Sequence, residues 1–198
     1  PDSELSALNR VGRLRVGPEL WDVIEVALTG REATGGRFDP LVRGGHRGGG
    51  AAALSRDPAT RDVHLGDGVT LDLERLAVAW CIDAVVDVLI AAGPCFAGDG
   101  DAAAFRGVPA RGPWVGMPLD AGGLASVRPR RPARGPDAVG EAMLVARTAA
   151  WAEIRARSLV AAGMSAAVRE ATALGFDCVL TPAEGPARAF GAFAGAGI

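Results

Sequence analysis

The stretch from Val69 to Ala92 constrains this chain more than any other. Val69 to Leu73 alternates apolar and polar residues and reads as a short strand. Glu74 to Ala92 reads as a long apolar helix that follows with no loop between. A strand running directly into a helix aims the first free helical N–H groups, and the positive end of the helix dipole, at one corner. Such a corner suits an anion, above all a phosphate. The plainer alternative is a buried helix packed on a sheet, with Asp72 as its cap.

The rest of the chain supplies a core for that corner. The sequence has 198 residues, 49% of them hydrophobic, enough for one packed domain or two small lobes. The formal charge is −2, so no broad basic field exists to hold nucleic acid. Every basic side chain apart from the two histidines is Arg; Lys and Tyr are absent. No Lys can therefore anchor a phosphate or form a Schiff base. Cys81, Cys95 and Cys178 have no metal-ligand spacing, and an odd count argues against a disulfide framework. Cys81 in an apolar helix and Cys178 in an apolar strand are expected to be buried, inert thiols. His46 and His64 are too far apart in sequence to suggest zinc. Leu76 to Ala92 is the longest apolar run, but at about 17 residues, with Asp83 and Asp87 inside it, it is too short and polar to span a bilayer. The chain opens at Pro1 without a signal or lipobox. A soluble protein is expected, cytoplasmic or, after loss of an anchor, extracytoplasmic and membrane-associated.

Taken in order, Asp2 to Asn9 reads as a helical turn capped by Ser3 or Asp2. Pro18 starts a second helix with an apolar stripe of Leu20, Trp21, Ile24, Ala27 and Leu28, ended by Gly35-Gly36. Arg43 to Ala53 is a Gly-rich stretch read as a surface loop. Val63 to Leu65 and Val69 to Leu73, joined around Gly66-Asp67-Gly68, predict a hairpin. Beyond the central helix come a strand and a Gly-Asp-rich turn over Cys95 to Asp101, and a strand over Trp114 to Met117. Arg128 to Arg134 reads as a solvated loop, and Glu141 to Arg147 as a strand. Thr148 caps a helix over Ala149 to Ala162 that Gly163 closes, and Ser165 caps another over Ala166 to Leu174. Phe176 to Leu180 is the last strand, and 189–198 is a flexible tail. The whole is expected to be a single α+β domain over 1–198 or two lobes of one, with a mixed sheet and flanking helices.

Pro1 to Arg10 (PDSELSALNR), then Pro18-Glu19-Leu20, then Thr34 to Pro40 (TGGRFDP) resemble the opening of the ApbE family of FAD:protein FMN transferases. Leu71 to Asp83 matches its DLGGIAKGYAVD segment in position, Gly98 to Asp101 its GGD turn, and Ala146 to Gly163 its APTAxxADALATALFVMG segment. By the resemblance, the family's opening strand, with its MGT-type motif, would stand before Pro1. The resemblance implies a two-lobed α+β fold that binds FAD, holds Mg2+ beside the pyrophosphate and transfers FMN to a Thr or Ser of an acceptor protein. Carried onto this chain, it assigns cofactor contacts to Asp72, Glu74, Arg75, Gly100 and Asp101, and metal contacts to Ala77, Glu153 and Arg157. It assigns no catalytic residue. The departures fall on the working positions. Glu74 and Arg75 replace the paired glycines, and Val78 replaces the motif's Lys. Asp99 replaces the first Gly of the turn, Glu153 the metal-binding Asp, and Arg157 the metal-binding Thr. The family's ATSG segment survives only as Ala125-Ser126, and no His follows His64. The functional expectation is an FMN-transferase-like protein with degenerate motifs. The alternative is a non-catalytic flavin-binding or scaffold relative.

Overall fold

The computed structural model describes residues 3–44, 46–47, 53–106, 121–129 and 134–195. The chain divides into two compact units, Pro1–Glu74 and Arg75–Ile198.

The first unit opens with α1 (Glu4–Val11), which Ser3 caps by accepting a hydrogen bond from the Ser6 amide. Gly12 ends it in the left-handed conformation, at φ 75°. β1 (Arg13–Arg15) follows, then α2 (Pro18–Ala33), with Pro18 at its first turn as expected. The buried face of α2 is Val23, Ile24, Ala27 and Gly30; Leu20, Trp21 and Leu28 of the predicted stripe are only half-buried. Five more short strands complete the unit among the described residues: β2 (Leu41–Arg43), β3 (His46–Arg47), β4 (Leu54–Asp57), β5 (Asp62–Leu65) and β6 (Val69–Leu71). They form two three-stranded antiparallel sheets, ordered β1-β5-β4 and β3-β2-β6.

That arrangement corrects the predicted hairpin. The Gly66-Asp67-Gly68 turn exists, closed by the Val69 N–H donating to the Gly66 carbonyl at 3.0 Å. However, β5 already has β1 on one edge and β4 on the other, so β6 cannot pair with it and crosses to β2. The partner of β5 is β4, reached through the Asp57–Asp62 turn, where Asp57 accepts from the Ala59 amide and the Thr60 hydroxyl. The Gly-rich stretch is described only in part: Arg43 pairs with His46 in the β2–β3 ladder, and 45 and 48–52 lie outside the described residues.

The second unit is built on α3 (Glu74–Leu89), continued by a 3₁₀ turn over Ile90–Ala92, and on one six-stranded sheet. Its strands are β7 (Cys95–Gly98), β8 (Ala102–Arg106), β9 (Ala121–Val127), β10 (Val139–Ala146), β11 (Asp177–Pro182) and β12 (Arg188–Phe190). Each pairs antiparallel with its neighbours in chain order. Between β10 and β11 the chain makes α4 (Ala149–Ala162) and α5 (Met164–Leu174). Both pack on one sheet face, burying Ala125, Leu144, Ala152, Leu159, Cys178 and Leu180 in a common cluster. The inner face of α3 (Ala79, Ile82, Val86) buries against Ala102, Ala104 and Ala149.

Several local expectations change. Ser165 does not cap α5; its amide and hydroxyl both donate to Asp137 Oδ1, at 2.7 and 2.6 Å. That carboxyl sits below its ordinary range, held first by the Ser165 hydroxyl and then by the Ser165 amide. Within the stretch read as a tail, β12 runs to Phe190 and a 3₁₀ turn follows over Gly191–Gly195, where Phe193, 2% exposed, seats against Val179 on the sheet's other face; 196–198 lie outside the described residues. Cys178 is buried, its thiol pushed up to about 12 by desolvation. Cys81 is exposed: α3 is apolar nearly all round, and Cys81 falls on its outer side. The Trp114–Met117 strand and residues 130–133 of the Arg-rich loop lie outside the described residues. Arg128 of that loop pairs with Glu141 at 3.2 Å. No helix among the described residues is long and apolar enough to cross a membrane.

Candidate functional site

The strand-to-helix corner is present: β6 ends at Leu71 and α3 begins at Glu74, with Asp72 and Leu73 as the link. The first unit holds the corner from its own side. The Asn9 side chain acts as a strand segment toward Leu71, donating from Nδ2 to the Leu71 carbonyl at 2.9 Å and accepting the Leu71 amide on Oδ1 at 2.7 Å. The Asp72 amide donates to the Pro40 carbonyl at 2.8 Å. Pro40 is delivered by the Thr34–Pro40 motif. Thr34 Oγ1 donates to the Gly30 carbonyl at 2.8 Å and accepts the Phe38 amide at 3.2 Å. Gly35 and Gly36, at φ 59° and 80°, turn the chain, and Asp39 Oδ1 accepts the Leu41 amide at 2.9 Å. Glu4 accepts the Gly17 amide on both carboxylate oxygens, at 3.0 and 3.2 Å, which anchors the N-terminus of α2. The two motifs most like the ApbE opening therefore act, within this unit, as a scaffold for the last residues before α3. Beside Gly35 and Gly36 lies a cavity of about 470 Å³, lined also by Leu28, Arg31, Glu32 and Leu41.

In the second unit, Arg75, Gly100 and Asp101 come together. Arg75 reaches Asp101 Oδ2 at 2.9 Å and Asp99 Oδ2 at 3.5 Å. Asp99 folds its own turn: Oδ1 accepts the Asp101 amide at 3.1 Å and the Ala102 amide at 2.8 Å. Burial pushes the Asp99 carboxyl up, but those amides and Arg75 outweigh it and hold the group below its ordinary value. Gly100, at φ 101°, has open space where a Cβ would stand, so the backbone turn, not crowding, selects glycine. Asp101 is the most exposed of the three ionic partners, at 62%. Glu74 is exposed and Asp72 half-buried.

The residues matched to metal positions lie on α3 and α4. Ala77 is half-buried, two residues after Arg75. Glu153 is 1% exposed and accepts Arg157 Nε on Oε1 at 2.5 Å, one turn along the same helix. Its second oxygen, Oε2, has no hydrogen-bond partner among the described residues. No group of three or more His, Cys, Asp or Glu side chains among the described residues is placed to hold a metal ion. Hard divalent cations need several oxygen donors, and Mg2+ dehydrates reluctantly. One carboxylate already paired with a guanidinium does not meet that need, so these residues do not fit Mg2+.

Sequence reasoning missed Asp83. Asp83 and Asp87 stand one turn apart on α3, but the structure separates them. Asp87 is exposed and meets Arg106 at 3.1 Å. Asp83 is buried and accepts the Ala149 amide on Oδ1 at 2.8 Å and the Ala150 amide on Oδ2 at 2.9 Å. With Thr148 accepting the Trp151 amide, the first three N–H groups of α4 are satisfied, and that helix end offers no free amides there for an anion. Burial raises the Asp83 carboxyl, against the pull of the two amides and Arg106. Asn9 and Asp99 were missed as well. The signal for Asp83 was present: a lone acid on the apolar face of a helix requires a buried partner.

No protein-family model and no curated protein sequence matches the chain. Solved structures do. The flavin transferase ApbE from Vibrio cholerae matches with a TM-score of 0.76 at 16% identity, over 97% of this chain and 82% of that one. The flavinyl transferase ApbE from Pseudomonas stutzeri matches with a TM-score of 0.75 at 14% identity, over 97% and 80%. The ApbE protein from Thermotoga maritima matches with a TM-score of 0.73 at 15% identity, over 94% and 81%. The fold is that of the ApbE flavin transferases. The ApbE fold bears out the α+β class and the architecture expected from the motifs. At these identities the likeness is one of fold.

Proposed function

We propose that this chain is an FAD:protein FMN transferase-like protein with a reduced set of catalytic groups. The observation that carries this reading is the ApbE fold extending over 94–97% of the chain. The substrates on this reading are FAD and a Thr or Ser hydroxyl of a flavin-acceptor protein. The hydroxyl oxygen would form a bond to the FMN phosphorus and give up its proton to solvent, the bridging P–O bond of the pyrophosphate would break, and AMP would leave with the electron pair. Such transfer is carried by positioning and charge neutralisation more than by covalent steps on the protein. Asp72, Glu74, Arg75, Gly100 and Asp101 are the proposed cofactor contacts, with Arg75 as the cation for the pyrophosphate. A phosphate would replace Asp101 on Arg75, exchanging one charge-assisted bond for another.

A second reading has an observation in its favour. Glu153 is closed by Arg157, which supports a flavin-binding relative that does not transfer FMN. One experiment separates the two. The purified chain is incubated with FAD and a Thr- and Ser-containing acceptor peptide, with and without Mg2+, while flavin fluorescence, covalent flavin on the peptide and AMP release are followed. Bound flavin with AMP release supports transfer. Bound flavin without AMP supports the second reading. No flavin binding removes both.

A further inference from the structure

We propose that α4 carries a built-in counter-ion, and that Arg157 excludes a divalent cation from the position that the ApbE resemblance gives to a metal. The inference rests on the match of Glu153 and Arg157 to that position, and its test requires no flavin.

Glu153 is a carboxylate 1% exposed on a helix whose core-facing neighbours Ala152 and Ala156 are also buried. A buried carboxylate must be paired, protonated or metal-bound. Here it is paired. The Arg157 Nε lies 2.5 Å from Oε1, and the i,i+4 spacing brings the two side chains together on the helix surface. The guanidinium places a positive charge directly on this carboxylate. A divalent cation on Oε2 would share one carboxylate with a fixed like charge, against strong repulsion in a poorly screened site. No cluster of three acidic, His or Cys side chains among the described residues is placed to offset that repulsion. Among the described residues Oε2 has no hydrogen-bond partner, so it is the atom to which a cation would bind if Arg157 permitted it.

The probe is Mn2+, titrated into the full chain and followed by the loss of its free electron-paramagnetic signal, with Mg2+ competition by calorimetry. The wild-type chain is expected to show no saturable binding that depends on Glu153. Arg157→Thr removes the guanidinium and supplies a hydroxyl, and should gain saturable Mn2+ binding that Mg2+ displaces. Arg157→Gln keeps the side-chain stem and serves if the Thr variant does not fold, as judged by circular dichroism and thermal melting. Glu153→Gln in either background should abolish the gained binding. Saturable binding by the wild type that Glu153→Gln removes would overturn the proposal. So would a folded Arg157 variant that gains none. Either result stands whether or not the chain binds flavin.

Discussion

At the scale of the residue, two positions carry more than their chemistry suggests. Asp83 holds two amides at the start of α4 from a buried site. Asp83→Ala leaves both amides without an acceptor and should cost about 2–4 kcal/mol of unfolding free energy, read as a lowered urea midpoint. The same group makes stability pH-dependent. Burial raises its folded-state value above the ordinary 3.8 of the unfolded chain. The native state therefore binds that proton more tightly, and the associated stabilisation is complete below 3.8 and withdrawn as pH rises through the folded value. Asp83→Asn should remove this downward slope, measured as the difference in urea midpoints between acid and neutral pH. Gly123 is the other position. A Cβ there would stand 1.8 Å from the Ala149 nitrogen and 2.1 Å from the Thr148 carbonyl carbon. Neither is the end of a flexible side chain, so Gly123→Ala should force β9 and α4 apart and cost ~3 kcal/mol or more. Thermal melting of the soluble variant, or its loss to the insoluble fraction, checks this.

At the scale of the element, the short motifs proved to be joinery. The PDSELSALNR stretch supplies Ser3 to cap α1, Glu4 to cap α2, Leu8 to the core and Asn9 to β6. Asn9→Ala should free Leu71 and loosen the last strand before α3, at a cost of about 1–3 kcal/mol. Hydrogen exchange at Leu71 should rise in that variant while the six-stranded sheet stays protected. Capped helices were legible from sequence because caps and periodicity act over three or four residues. Ser3, Pro18, Thr148 and Gly163 all fall at the element ends where local chemistry places them. The hairpin at Gly66–Gly68 was not legible. A turn signal is local, whereas the occupancy of both edges of β5 is settled by residues 13–15 and 54–57. Ser165 misled for the same reason: its competitor, Asp137, lies 28 positions away in sequence. Cys81 was misplaced because a helix apolar on nearly every side gives no pattern from which to read its outer face.

At the scale of the whole molecule, motif order along the chain announced the ApbE fold more clearly than any single residue did, and the candidate site was legible only in outline. Arg75, Gly100 and Asp101 assemble, but the two carboxylates on Arg75 depend on side-chain partners that sequence spacing leaves open, whereas the Glu153–Arg157 pair follows from its i,i+4 spacing. If Arg75 meets the pyrophosphate, Arg75→Ala should weaken FAD binding about tenfold or more, the loss of a charge-assisted bond. Fluorescence quenching of FAD measures it, and unchanged affinity would remove Arg75 from the proposed contacts.

The six-stranded sheet has one further consequence. Its spatial order is its chain order, so every new strand docks on the edge left by the one before it. Such a sheet can be laid down as the polypeptide leaves the ribosome, with no strand waiting for a distant successor. The two-helix excursion after β10 then drapes cover over the half already built, before β11 and β12 close the series.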